Sequence, residues 1–239
     1  MKKVIVKALI VLLIVGVSFG LIIVGTGYNM YKEAIQEVLL DKKVEEIKQK
    51  ENYTTLEEMP GIYKEAVIAV EDHRFYDHGG IDIIAIGRAL WNDIKAFSFV
   101  EGGSTITQQL AKNVYFTQEK ELTRKVAEVF MAFQIEQNYE KDEILEFYLN
   151  TSYFGDGYDT VEEASIGYFK KEPLELTDYE AVMLAGIPNA PSVYAPTQNL
   201  ELAKQRQKQV LDKLVKYEYI NEDEAEEILD EGEKLFPNS

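Results

Sequence analysis

The chain of 239 residues contains no cysteine and only two histidines. Without cysteine it has no disulfide framework and no thiolate chemistry, which suits an exported protein that folds without oxidative help. The two histidines, His73 and His78, are five residues apart, and no H-E-x-x-H pattern occurs. The usual helical zinc-hydrolase motif is therefore absent.

Basic residues are also scarce. The chain has 25 lysines and arginines against 42 acidic residues, which gives a net charge of −17, and every acidic residue lies beyond Tyr28. So acidic a chain is a poor binder of nucleic acid, because phosphates need basic partners. An anionic membrane would be approached only through local basic or apolar patches.

Strand-like alternation of apolar and polar residues is scarce as well. From Leu56 onward, apolar residues mostly recur at spacings of three and four, which predicts one helix after another. The predicted helical segments are 67–71, 81–97, 105–115, 122–139, 141–150, 161–169, 178–187, 200–217 and 222–229. The predicted fold class is mainly α.

One long apolar run is present, from Ala8 to Tyr28, and it carries no charge. Its length is about the 20 residues that a membrane-spanning helix needs. Three lysines precede it and no basic residue follows until Lys32, so the positive-inside rule predicts a cytoplasmic N-terminus. A cleaved signal peptide is the alternative, with a weak cleavage site at 18–20. An uncleaved anchor is favoured.

The residues after the apolar run divide into two predicted parts. Residues 29–55 are rich in charge with scattered apolar positions, which indicates an exposed helical stalk. The predicted organisation is a cytoplasmic tip and transmembrane helix over 1–28, a charged stalk over 29–55 and a domain over 56–239.

The segment EDHRFYDHGG at 71–80 follows the apolar run 66–70. Glu71 therefore lies at the end of a predicted buried helix, where an apolar wall raises a carboxyl pKa towards neutral pH. A carboxylate of this kind can act as a catalytic base. Two alternatives remain for the cluster: a metal site using His and carboxylate ligands, or a solvated charged loop.

The segment GGSTITQQLAKN at 102–113 begins a helix. Ser104 or Thr105 is a good N-cap, and the glycines before it let a ligand approach the backbone. The segment lacks the Gly-Lys-Ser/Thr ending of a nucleotide-binding P-loop. Gln108, Gln109 and Lys112 lie on or near one helical face and could bind sugar hydroxyls or phosphate.

Arg124, Lys125 and Glu128 in the segment RKVAE are three and four residues apart. They could form an ordinary surface ion pair, or an acid beside phosphate-binding cations in a cleft. The segment 94–100 is apolar and aromatic and is followed by glycines. It is either part of the core or a membrane-touching segment that presents Phe97 and Phe99.

These segments, in this order, resemble the peptidoglycan glycosyltransferases of family 51. That family includes the transglycosylase module of class A penicillin-binding proteins and stand-alone monofunctional enzymes. The resemblance runs from about Leu56 to Leu214 and also includes KDEILEFYLN at 141–150 and RQKQVL at 206–211. No transpeptidase motifs follow, so a monofunctional enzyme or a fragment of a longer protein is expected.

The resemblance implies a lysozyme-like, mostly helical fold and an enzyme that polymerises lipid II with inversion, releasing undecaprenyl pyrophosphate. Glu71 matches the base that deprotonates the acceptor 4-hydroxyl, and Glu128 matches the glutamate that assists at the donor phosphate. It implies that the remaining site residues bind substrate: Asp72, Phe75, Ser104, Thr105, Gln108, Gln109, Lys112, Lys120, Arg124 and Lys125.

Three positions depart from the family's pattern. Lys120 and Ala127 replace an arginine and a lysine of some members, which weakens or removes a basic contact. The segment 159–161 replaces Tyr-Gly-Ile, which would alter packing more than chemistry.

The implied partners are lipid II, the growing glycan chain, the bilayer and other cell-wall synthesis proteins, and the implied location is the cell membrane, with a single pass and an extracytoplasmic domain. A divalent cation, Mg or Mn, is the one cofactor that the resemblance allows. Two other functions remain open: a lysozyme-type hydrolase, which needs neither anchor nor phosphate-binding cations, and a non-catalytic wall-assembly scaffold.

Overall fold

A computed structural model describes residues 2–96, 102–116 and 122–235. Within these ranges the chain forms α-helices and short 3₁₀ turns and no strand, which confirms the mainly α class. The α-helices in chain order are α1 (Lys2–Glu37), α2 (Leu40–Lys48), α3 (Gly61–Glu71), α4 (Ile83–Ala96), α5 (Ile106–Tyr115), α6 (Leu122–Glu136), α7 (Lys141–Leu149), α8 (Val161–Phe169), α9 (Asp178–Gly186), α10 (Pro191–Tyr194), α11 (Leu200–Lys216) and α12 (Glu222–Leu235).

Hydrogen-bonding residues at the helix starts explain where several helices begin. Thr105 and Thr177 each accept a bond from the backbone N–H three residues on, and the Gln or Glu at that third position bonds back to the cap. Thr160 and Asn199 cap α8 and α11 through their side-chain oxygens. Each such cap satisfies N–H groups that the helix cannot, worth about 1 kcal/mol.

The core is built around α9, in which every residue after Asp178 is buried. It packs against α3 and α11, while α5 packs against α6 and α7. Helix α3 contributes a solvent-free stretch, Ala66–Ala69, that leads directly to Glu71. The fold therefore holds the end of α3 rigidly at the edge of the core.

Helix α1 is 36 residues long, and its apolar stretch is exposed along its length. By length and composition it could cross a membrane, with a mean hydropathy of 2.9 in its most apolar window. The predicted span is therefore helical, and it continues without a break into the residues assigned to the stalk. Its last turns pack against α6, where Tyr28 contacts Phe130 with 5.1 Å between the ring centroids.

The expectation of an exposed stalk over 29–55 needs correction at α2. Leu40, Val44 and Ile47 of this helix are buried in the main core. They lie three and four residues apart on one face, and the charged residues between them face solvent. The segment is helical, but its second half is part of the folded domain because this apolar face has a core to pack against.

Gly27 lets α1 approach α6 closely. A Cβ at this position would lie 2.6 Å from Val126 Cβ and 2.7 Å from the backbone oxygen of Thr123. Replacing Gly27 with Ala should therefore destabilise the protein by about 1–3 kcal/mol, as overpacking does. Thermal unfolding of the full chain in detergent measures this. Gly25→Ala is the control, because a Cβ there would meet nothing within 4 Å.

An unchanged melting temperature in Gly27→Ala would mean that α1 does not pack on α6 as described. An equal loss in Gly25→Ala would point to a general effect of substitutions in α1, and not to this contact.

Candidate active site

Glu71 is the last residue of α3, and its carboxylate is enclosed. Oε2 accepts a hydrogen bond of 2.8 Å from Gln109 Nε2, whereas Oε1 is buried with no hydrogen-bond partner among the described residues. Burial raises the pKa of Glu71, against the opposing effects of Gln109, Arg206 and Lys112. Gln109 thus fixes the position of Oε2, while Oε1 has no hydrogen bond from the described residues that would compete with proton transfer. A general base needs an oxygen of this kind to accept a proton.

Asp72 lies beside Glu71 but points into the protein. Oδ1 lies 2.8 Å from His78 Nε2, and Oδ2 accepts a bond of 3.1 Å from the backbone N–H of Ile106 at the start of α5. His78 Nδ1 lies 2.6 Å from the Gly79 carbonyl oxygen. Although burial opposes its charged form, the bonds to Asp72 and Gly79 raise the pKa of His78. Asp72 therefore ties the loop after α3 to α5.

Three residues expected to bind substrate lie inside the protein. Phe75 is fully buried, with Lys141 Nζ 4.3 Å from its ring centroid. Thr105 donates to the Gly80 carbonyl and exchanges capping bonds with Gln108. Their side chains support the loop and the start of α5, and their predicted contact with substrate receives no support from this placement.

Glu128 is buried and ion-paired with two cations. Its carboxylate lies 3.1 Å from Arg124 Nε and 3.0 Å from Lys125 Nζ, and its side chain is 2% exposed. Lys125 Nζ also donates to Ser104 Oγ at 2.6 Å, which connects α6 to the segment before α5. The sequence left open an ordinary surface ion pair. Because the Glu128 carboxylate is buried and lies close to both cations, the structure favours an organised cationic cluster instead.

Lys112 interacts electrostatically with both glutamates. Burial lowers its pKa, and both Glu128 and Glu71 act on it electrostatically in the opposite direction, while Arg124 and Lys125 act with burial. Gln109, one turn earlier on α5, reaches Glu71. Helix α5 therefore presents Gln109 and Lys112 to the carboxylates, whereas Gln108, predicted to share this polar face, is engaged in the cap with Thr105.

A cavity of about 490 Å³ opens beside this face of α5. Gln109, Lys112 and Asn113 line one side, and residues in the last turn of α7, after α7 and after α9 line the others. Those further lining residues are Tyr148, Ser152, Tyr153, Asp159, Pro188, Asn189 and Pro191. A volume of this size accommodates one or two sugar rings or a comparable small ligand.

Several of these residues were not selected from the sequence. Arg206 and Tyr148 occur in the recognised segments RQKQVL and KDEILEFYLN, yet no role was assigned to either. Arg206 acts electrostatically on Glu71 from α11, although the two residues are far apart in sequence. The two recognised segments that contain Arg206 and Tyr148 were the signal in the sequence that could have identified them. Lys120, Phe97 and Phe99 lie outside the described residues.

The described residues contain one group whose atoms are close enough to share a metal ion: Asp72, His78 and Asp82. The atoms that would bind the ion already make hydrogen bonds within the protein. Asp82 holds Arg74 through two bonds and accepts the N–H groups of residues 84 and 85, and Asp72 is occupied by His78 and Ile106. The group does not fit a resident metal. The expected divalent cation stays a prediction.

The protein-family model described as Transglycosylase matches residues 39–215 of this chain. The chain belongs to the transglycosylase family. The resemblance drawn from the ordered motifs is thereby confirmed, and the described residues are helical, as that resemblance implied. The match begins within the predicted stalk, which agrees with the burial of α2.

Relatives of this transglycosylase chain are much longer proteins. Penicillin-binding protein 1F of Bacillus subtilis (strain 168) is 47% identical over 171 residues, which are 72% of this chain and 24% of that protein. Penicillin-binding protein 2D of the same organism is 45% identical over 183 residues, 77% of this chain and 26% of that protein. The chain thus spans about a quarter of the length of these relatives.

Two further comparisons concern proteins named penicillin-binding protein 1A. The one from Neisseria lactamica is 44% identical over 184 residues, 77% of this chain and 23% of that protein. The crystal structure of the one from Haemophilus influenzae aligns with a TM-score of 0.45 and 22% identity, over 74% of this chain and 17% of that chain.

Proposed function

We propose that the chain polymerises lipid II into glycan strands with inversion at the anomeric carbon. The observation that carries the proposal is the pairing of an enclosed carboxylate, Glu71, with a cluster of cations around the buried carboxylate of Glu128. Lys112 interacts electrostatically with both glutamates. Membership in the transglycosylase family supports the same reaction class.

In the proposed reaction Glu71 is the general base. Its free Oε1 takes the proton of the acceptor 4-hydroxyl as that oxygen forms a bond to the donor's anomeric carbon. The bond from this carbon to the pyrophosphate oxygen breaks, and undecaprenyl pyrophosphate leaves with the electron pair. A base whose pKa is raised by burial is suited to accept this proton near neutral pH.

The cationic cluster would stabilise the leaving group. Lys112, Arg124 and Lys125 carry fixed positive charge where negative charge develops on the pyrophosphate, and fixed charges in a partly enclosed site need no reorganisation during the reaction. Glu128 holds Arg124 and Lys125 at about 3 Å, so its role is to position them at the donor phosphate.

The lipid substrate also suggests a role for α1. Its apolar stretch would span the bilayer, and Lys2, Lys3 and Lys7 would place the N-terminus in the cytoplasm and the domain outside. The domain would then meet lipid II at the outer surface of the membrane. This orientation is part of the proposal.

Incubation of the purified full chain with labelled lipid II tests the proposed function. Formation of glycan polymer that a muramidase digests supports it. Cleavage of existing glycan strands would indicate a hydrolase instead, and binding of lipid II without turnover would indicate a scaffold. Either of these two outcomes would overturn the proposal.

A further inference from the structure

A chain of two hydrogen bonds leads from α7 to Glu71. Tyr148 is 1% exposed, and its hydroxyl donates to Gln109 Oε1 at 3.3 Å. Gln109 Nε2 in turn donates to Glu71 Oε2 at 2.8 Å. A primary amide has a donor end and an acceptor end, so a bond that fixes the acceptor end also fixes the donor end.

We propose that Tyr148 is a positioning residue, which holds the Gln109 amide with its donor end on Glu71 and so favours the ionised base. The inference rests on the proposed role of Glu71 in the reaction. Tyr148 itself would not touch the reacting atoms. Its effect would pass through Gln109, because its hydroxyl bonds the amide and not the carboxylate.

The alternative amide orientation shows why this matters. If Gln109 turned through 180°, its oxygen would face the Glu71 carboxylate, and two acceptors would oppose each other. Protonation of Glu71 would then relieve the repulsion, since a protonated carboxyl can donate to the amide oxygen. In the orientation seen in the structure the phenol hydroxyl donates its single hydrogen to the amide oxygen. In the turned orientation the hydroxyl would accept from the amide nitrogen instead, and its own hydrogen would lose this acceptor, so the bond favours the orientation seen.

Other charged groups around Glu71 affect its ionisation but do not determine the orientation of the Gln109 amide. Lys112 on α5 and Arg206 on α11 favour the ionised form, and the neighbouring Asp72 opposes it. All three act at longer range than the Gln109 bond and are unaffected by which way the amide points. The orientation of Gln109 is therefore a separate variable, and Tyr148 is the described residue that bonds its oxygen.

The chain offers a matched control in Tyr63. This tyrosine of α3 is also fully buried, but its hydroxyl has no hydrogen-bond partner among the described residues. Tyr63→Phe removes the same group from the same core and leaves the bonds of Gln109 intact. Any effect that both Phe variants share would come from packing alone.

The first test follows the titration of Glu71 directly, without substrate. The full chain is labelled with ¹³C at the glutamate carboxyls in detergent, and the Glu71 signal is identified by its loss in Glu71→Gln. In Tyr148→Phe the pKa of Glu71 should rise by about half a unit to one unit, the equivalent of one ordinary hydrogen bond. In Tyr63→Phe it should equal the wild-type value.

A double-mutant cycle shows whether Tyr148 acts through Gln109. Gln109→Leu should itself raise the pKa of Glu71, and adding Tyr148→Phe to it should produce no further rise. If Tyr148→Phe does not fold, Gln109→Leu still decides the matter, because an unchanged Glu71 titration in that variant overturns the proposal. Equal shifts in the two Phe variants, or no shift in either, overturn it as well.

The pH dependence of polymerisation gives a second readout. The acidic limb of the turnover profile should move to higher pH in Tyr148→Phe and not in Tyr63→Phe, with little change in KM. The titration needs no lipid II, so the two proposals fail separately. A wild-type chain that makes no polymer overturns the proposed reaction, whereas an active chain with an unmoved profile overturns the role of Tyr148.

Discussion

Glu71→Gln is expected to lower lipid II polymerisation by about 10²–10⁴-fold, the usual cost of losing a general base. The side chain keeps its size, and its amide oxygen can still accept the bond from Gln109. The fold should therefore persist. Turnover measured with labelled lipid II, alongside thermal unfolding, separates the loss of chemistry from any loss of structure.

The same variant should be at least as stable as the wild type at neutral pH. Burial raises the pKa of Glu71 in the folded protein, so the folded state holds its proton more tightly than the unfolded chain does. The wild type therefore loses stability as pH rises from the ordinary glutamate pKa through the raised one. The gain of Glu71→Gln should be absent below about pH 4, near the ordinary glutamate pKa, and complete above the raised pKa.

Glu65→Gln is the matched control for this prediction. Glu65 lies on the same helix, and burial raises its pKa as well, but it is not part of the site. Its replacement should change stability in the same direction and leave turnover intact. Near wild-type turnover in Glu71→Gln would remove Glu71 from the mechanism.

Glu128→Gln is expected to reduce turnover strongly, by about 10²-fold, because small displacements of positioning groups have costs of this order. The neutral amide cannot hold Arg124 and Lys125 as the carboxylate does at about 3 Å. Stability should fall too. Breaking a buried ion pair costs about 3–5 kcal/mol, and the loss should lie towards the lower end because Lys125 is 43% exposed.

A stability loss alone would not establish a catalytic role for Glu128, so a second buried pair serves as the reference. Glu180 is 7% exposed in its side chain and lies 2.7 Å from Lys171, away from the site. Glu180→Gln should destabilise the protein comparably and leave turnover per folded molecule unchanged. If Glu128→Gln behaved in the same way, its assignment to the donor side would be wrong.

The sequence predicted the parts of this protein that local pattern determines. Helical spacing of apolar residues indicated the mainly α fold, and the apolar run indicated α1. The position of Glu71 after a buried stretch of α3 was predicted correctly, because burial of a helix end follows from its own residues. The roles of the site residues stay predictions.

Long-range contacts account for what the sequence could not give. Whether the apolar face of α2 packs or stays exposed depends on the core that it meets. Gln109 bonds Glu71 across 38 residues of sequence and Tyr148 bonds Gln109 across 39, and no local pattern encodes these contacts. Asp72 looked like a site carboxylate, but its partners His78 and Ile106 engage both of its oxygens inside the protein.

The close contact of Gly27 with Thr123 and Val126 has a further consequence. Those two residues flank Arg124 and Lys125, so α1 packs against the same part of α6 that carries these two cations. If α1 spans the bilayer, its position in the membrane determines how far Arg124 and Lys125 lie above the lipid surface. One helical turn added to α1 just before Gly27 would raise them by about 5.4 Å, away from a pyrophosphate that the polyprenyl chain keeps at the membrane surface.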